Sequence, residues 1–177
     1  MLGDLDRVLK FEPFHIDHLV DQRRRFQLDL DPRFPLAVKP YSFVSFSNAS
    51  RFNWHERLEL FLSITARGRF RMGGRIVGFS YGDVVVVENL KLHGLVDCEG
   101  TAARGIVITF QPELICNPGS CPCDSVYLLP FFPVAGGPGP VVRAQEKLAP
   151  QIQAALCGLV QCFFSQAGRR SREAGAK

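Results

Sequence analysis

No apolar run in this sequence reaches the roughly 18 uninterrupted residues that a membrane-spanning helix needs. The opening stretch from Met1 to Lys10 carries Asp4, Asp6 and Arg7 where a secretory leader requires apolar residues. Together these features imply no membrane partner and a cytoplasmic location. A strong excess of one charge is also missing: 21 Lys and Arg against 17 Asp and Glu leave a formal net charge of +4. The basic clusters, Arg23 to Arg25 and Arg169, Arg170, Arg172 and Lys177, lie in no recognisable DNA-reading element, so charge alone does not argue for nucleic-acid contact. Paired Cys-x-x-Cys units are absent from the six cysteines, which in this setting are expected to be reduced thiols. The glycine pairs Gly73-Gly74 and Gly136-Gly137 lack the lysine and following helix of a phosphate loop. They read as turns, and no internal repeat is visible.

What is present is a core-forming chain: 46% apolar residues, fifteen of them Phe, in 177 residues, enough for one domain and an appendage. Residues 1–40 show no sustained period and are broken by Pro32, Pro35 and Pro40, which suggests an N-terminal arm. From Tyr41 the texture changes to strand-length runs rich in Val, Ile and Phe: 41–46, 58–65, 69–72, 75–79, 83–87, 93–96 and 106–110. Gly73-Gly74 supplies a tight hairpin turn between two of them, and Gly68 and Tyr81-Gly82-Asp83 mark others. Many short strands with such turns predict a barrel or sandwich over 41–112. Residues 113–140, with Pro, Gly and three cysteines, read as a linker loop. Over 141–177 the period becomes helical, with Leu148, Ile152, Leu156, Leu159 and Phe163 recurring every three or four residues, Pro150 in a first turn and Gly168 ending the stripe. Such a stripe must be buried, which predicts a homodimer interface through these five residues, with packing on the chain's own barrel as the competing explanation.

Between Asn53 and His93 the sequence reads Asn-Trp-His-Glu-Arg-Leu-Glu-Leu, then Gly68-Arg-Phe-Arg-Met-Gly-Gly-Arg, then Tyr81-Gly-Asp followed by an apolar strand and a turn to His93. This resembles the paired motifs of cupins, in the version carried by the N-terminal sensor domains of AraC-type bacterial transcription regulators. His55, Glu59, Gly68, Gly82, Asp83 and His93 fall on matching positions. Asn53 stands where the first motif histidine belongs, and Glu88 and Leu90 replace the usual Pro and Gly of the second motif turn. The resemblance implies a mainly β fold, a cupin-type double-stranded β-helix (jelly-roll barrel) followed by C-terminal α-helices. It also implies an effector-sensing and dimerising role without catalysis. Promoter DNA would then be contacted only through a helix-turn-helix half absent from this chain, which reads as a truncated or naturally short form.

The resemblance brings Asn53, Trp54, His55, Glu59 and His93 to one effector pocket for a small molecule. His55, Glu59 and His93 alternatively form a two-histidine, one-carboxylate set for a divalent metal, as in a stand-alone cupin oxygenase or isomerase. No cofactor is assured. Parity poses a problem: an unbroken strand puts His55 and Glu59 on one face and Leu58, Leu60, Leu62 and Ile64 on the other, which requires a bulge or a second packed face. Cys116, Cys121 and Cys123 offer thiolates to zinc at an irregular spacing, and serve equally well as small buried hydrophobes. His15 and His18 in the arm read as polar surface.

Overall fold

The computed structural model describes residues 1–43, 52–100, 103–116, 122–132 and 139–174. It is rich in sheet, with one long C-terminal helix. The strands are β1 (Glu12–Pro13), β2 (Leu36–Ser42), β3 (Leu58–Ser63), β4 (Gly68–Met72), β5 (Arg75–Phe79), β6 (Val84–Val87), β7 (His93–Cys98), β8 (Arg104–Phe110) and β9 (Val141–Val142). Helix α1 spans Leu2–Val8 and α2 spans Ala149–Ala174. The strands form two sheets, one in the order β1-β2-β8-β3-β6-β9 and one in the order β5-β4-β7.

Six of the seven expected strands lie close to their predicted runs. The seventh is displaced: β2 starts at Leu36, inside the expected arm, and the end of the run over 41–46 lies outside the described residues. Prolines misled here, because Pro40 pairs with Ile106 in the ladder yet needs no donor at its own position. The arm also holds α1, whose Leu2 and Leu5 are buried. Within the expected linker, Pro112–Leu114 and Pro122–Phe131 form 3-10 turns, and Phe131 packs edge-on against Phe110. The single helix α2 replaces the expected several, carries Pro150 in its first turn and continues past Gly168.

The two ladders are not closed edge to edge among the described residues, so the barrel expectation reduces to two sheets facing one another. Their shared layer contains Phe61 and Val85 from the larger sheet and Phe70, Met72, Phe79 and Leu95 from the smaller. The other face of the larger sheet carries Leu58, Leu62, Val84, Ile106 and Ile108, packed with Leu5 of α1 and Leu156 and Val160 of α2. This second packed face resolves the parity problem. Glu59 and Phe61 point between the sheets while Leu58, Leu60 and Leu62 point toward the helices.

Glycine is required at two close approaches. A side chain at Gly68 would place its Cβ 2.2 Å from the Asp97 carbonyl oxygen, and one at Gly105 would sit 2.3 Å from the Phe61 ring. The first lets β4 and β7 close up; the second gives Phe61 its space.

The apolar stripe of α2 divides in two. Leu156 is buried within its own chain beside Cys157 and Val160, so at this residue the intramolecular explanation applies. Ile152 and Phe163 are half-buried against the same cluster, whereas Leu159 and Leu148, which lies one residue before the helix begins, are exposed. Among the described residues, no helix is long and apolar enough to cross a membrane.

Candidate functional site

Register aligns the interior side chains in rows. Ala37, Thr109, Glu59 and Val87 are successive partners across β2, β8, β3 and β6, and the next row is Lys39, Val107, Phe61 and Val85. Facing them are Phe70 of β4 and His93, Gly94 and Leu95 of β7. Between the sheets lies a cavity of about 50 Å³ whose polar end is made by Asn53, Glu59, His93 and Thr109. Phe14, Ile16, Phe26 and Leu28 close it from the N-terminal segment, and Lys39 and Tyr41 lie toward the other end. A water needs roughly 10–15 Å³, so the cavity, partly open to solvent, accommodates a few waters or a compact guest.

The strip 53–57 joins this cavity to the segment that covers it. Asn53 exchanges backbone hydrogen bonds with His93 at 3.0 and 2.9 Å, which holds the two motif regions together. Trp54 turns outward: its backbone N–H donates to the Arg24 carbonyl, its indole N–H to the Arg23 carbonyl at 2.9 Å, and its own carbonyl accepts from Phe26 N–H. Trp54 is therefore a fastening for the covering segment and does not line the cavity. The buried Arg57 guanidinium donates to the Leu28 and Phe26 carbonyls, each at 3.1 Å, and lies over the Phe26 ring. Arg25 pairs with Glu56 at 2.9 Å on the surface. Sequence reading missed the covering side chains and Arg57. The basic run Arg23 to Arg25 reads as a solvated face, and no local pattern in the sequence pairs it with Glu56.

His55, Glu59 and His93 are all buried, and one ligand atom from each lies within 4.8 Å of the others. The rings of His55 and His93 meet edge to face with centroids 4.8 Å apart. His55 Nδ1 is 2.9 Å from the Arg57 carbonyl and its Nε2 is 3.1 Å from Glu59 Oε2. His93 Nδ1 is 2.7 Å from the Lys91 carbonyl, and its Nε2 is 3.7 Å from Glu59 Oε1, too far for a hydrogen bond. Each Nδ1 lies against a backbone carbonyl and each Nε2 faces the carboxylate, with proton positions that follow the tautomer. Burial raises the Glu59 proton affinity, but the His55 hydrogen bond and the charges of His93, His55 and Arg57 outweigh it and hold the carboxyl below its ordinary range. Burial foremost keeps the His93 imidazolium below its usual value, against the pull of Glu59. Tyr41 is pushed up by burial and by the nearby Glu59 and Glu12 carboxylates.

Asn53 Oδ1 is buried and has no hydrogen-bond partner among the described residues. In a pocket holding an ionised carboxylate, such an orphaned acceptor calls for a donor or a cation.

The other motif residues are structural. Asp83 accepts hydrogen bonds from Ser80 N–H, Arg143 Nη1 and Ala144 N–H, and so pins the start of β6 to the segment entering α2. Gly82 adopts φ +78°, a conformation that favours glycine. Leu90, where the cupin motif that the sequence resembles has Gly, adopts φ +59° with its side chain exposed, a strained backbone for leucine.

Of the candidate zinc thiols, Cys116 is free and half-buried, while Cys121 and the Cys123 side chain lie outside the described residues. Burial, then the Asp97 carboxylate, push the Cys98 thiol up to about 12, which makes it a poor nucleophile. His15 and His18 are exposed. No family model matches the chain, and no curated protein is detectably similar to it.

Proposed function

We propose that this chain is the small-molecule-sensing and dimerisation part of an AraC-type bacterial transcription regulator, with a cupin-type jelly roll as its barrel and the cavity between the sheets as its effector pocket. The observation that carries the pocket reading is the unpartnered Asn53 Oδ1 in an aromatic-walled cavity beside Glu59 and His93. Buried acceptors without partners are costly, and a guest relieves the cost. The regulator class rests on the motif resemblance. In this scheme the guest acts by binding one arrangement of the chain better than another, and promoter DNA is engaged by a separate helix-turn-helix region. Specific readout requires an element in a groove, so residues 1–177 alone bind DNA in a salt-sensitive, sequence-independent way at most.

A second reading is favoured by the two anchored imidazoles. With each Nδ1 facing a carbonyl, His55 and His93 Nε2, the Glu59 carboxylate and Asn53 Oδ1 are donor atoms suited to a divalent iron or manganese ion. Such an ion would supply Lewis acidity and an open coordination position, and the chain would then be a cupin metalloenzyme.

Metal analysis and thermal shifts on wild type, His55→Ala and His93→Ala decide between these readings. Stabilisation by an organic molecule after exhaustive chelation, lost in both variants, supports the sensor. Stoichiometric iron or manganese lost in both variants, with turnover of a substrate, overturns it. Sequence-selective promoter binding by residues 1–177 at physiological salt would overturn the assignment of DNA readout to a separate region.

A further inference from the structure

We propose that the cavity selects a compact ligand whose apolar body lies among the phenylalanines and whose head donates hydrogen bonds, an alcohol or an amine, and that it discriminates against carboxylates. This rests on the effector-pocket reading and adds the chemical class of the guest.

The orphaned atoms at the polar end are acceptors, beside the Thr109 hydroxyl, which can accept or donate. Asn53 Oδ1 is buried without a partner among the described residues. Glu59 Oε2 is engaged by His55 at 3.1 Å, but Oε1 has only His93 Nε2 at 3.7 Å, beyond hydrogen-bond reach. His93 has its Nδ1 committed to the Lys91 carbonyl at 2.7 Å, so in the neutral ring Nε2 presents a lone pair toward the carboxylate. Two lone pairs therefore face each other across a gap with a third acceptor beside them. A hydroxyl or ammonium head supplies the missing protons. A carboxylate head would add lone pairs where they already oppose one another.

The rest of the wall is apolar. Phe14, Phe26, Phe43, Phe61 and Phe70 surround the cavity. Rings of this kind bury an apolar body and tolerate a cationic head against their faces. Lys39 lies one row from Glu59, on an exposed position at the cavity's edge. It offers the opposite orientation, with a carboxylate guest anchored at the rim, and the test must separate the two.

Binding constants for isopropanol, isopropylamine, 2-chloropropane and isobutyrate, whose three-carbon body suits a cavity of a few waters' volume, should be measured by calorimetry on the full chain, in the presence of a chelator, for wild type, Asn53→Leu and Lys39→Met. These four share one apolar body and differ in the head. Leaving buried acceptors unpaired costs enough that the alcohol or the amine is expected to bind about tenfold more tightly than the chloride, with isobutyrate weakest. The stronger of the two donors identifies whether the preferred head is neutral or charged. Asn53→Leu should cost the donor-headed compounds about tenfold and leave the chloride unchanged or improved, whereas Lys39→Met should leave the order intact.

Isobutyrate binding most tightly, with that binding lost in Lys39→Met, overturns the donor-headed class while leaving an effector pocket in place, and so does the chloride equalling the alcohol. Binding by none of the four, the chloride included, overturns the pocket reading itself.

Discussion

The two faces of the larger sheet are built from alternate residues of the same strands, yet they do different work. Toward the helices, Leu58 and Leu62 of β3 meet Ile106 and Ile108 of β8 and Val84 of β6 in a buried apolar cluster, with the Arg104–Asp6 ion pair at its edge. Toward the smaller sheet, the same strands present Glu59, Phe61, Val107 and Thr109 around a cavity. A period of two lets one strand contribute a dry core on one side and a partly polar pocket on the other. The helix-facing side is covered by the chain's own helices at Leu5, Leu156 and Val160. The cavity side leaves acceptors unsatisfied, a feature worth keeping only if something binds there.

The largest effect should come from the dry face. Leu62 is fully buried, and Leu62→Ala deletes its contacts without access to a guest, so unfolding free energy should fall by about 2–5 kcal/mol in urea titration. The ligand affinities of the surviving folded fraction should stay within about twofold, because Leu62 points away from the cavity. A loss of affinity out of proportion to that would show that the two faces are coupled and break the distinction.

That two-faced strand was the most legible feature of the fold. Alternation in 58–64, the Gly73-Gly74 hairpin and the valine run of β6 are set by local sterics and register, and local patterns carry them. Less visible were features decided by contacts distant in sequence. The seven-residue α1 is too short to show a period, yet Leu2 and Leu5 find a site against α2. Phe14, Phe26 and Leu28 read as irregular arm because nothing near them in sequence reveals a cavity to cover. The site residues were legible as a set, since His55, Glu59 and His93 do converge, but the role of Trp54 was not. On a strip alternating in and out, the residue between Asn53 and His55 must face the other way.

An intermediate effect concerns acidity, and it sharpens the contrast because the titratable groups with resolved shifts at the cavity's polar end act in one direction. Glu59 is held below its ordinary range and His93 below the ordinary imidazole value, so in each case the unfolded chain binds its proton more readily than the folded one. Stability is then full above the unfolded imidazole value of about 6.5, declines as pH falls through the imidazole range, and declines again through the carboxylate range. Melting temperatures from pH 8 to 3 should show both steps, with His93→Asn flattening the first. A melting temperature that rises on acidification from pH 7 to 5 would contradict the buried, deprotonated His93.

The smallest effect on stability, and the most direct test of association, lies in the two faces of α2. Leu156, Cys157 and Val160 are buried against the sheet, whereas Leu148, the residue before the helix, and Leu159, eleven residues on and so about three helical turns along the same side, are 59% and 36% exposed. If the predicted homodimer uses this helix, it must use the exposed side, because the buried side is already occupied by the chain's own core. The double change Leu148→Ser and Leu159→Ser should therefore alter unfolding free energy by no more than about 0.5 kcal/mol per site, as surface changes do. By contrast, Leu156→Glu puts a charge into the core and should prevent folding. Light scattering at high micromolar concentration should give a dimer for wild type and a monomer for the double variant, with circular dichroism unchanged between them. A monomeric wild type sinks the dimer. A double variant that stays dimeric moves the interface off this face of α2, and with it the reason for leaving two leucines in water.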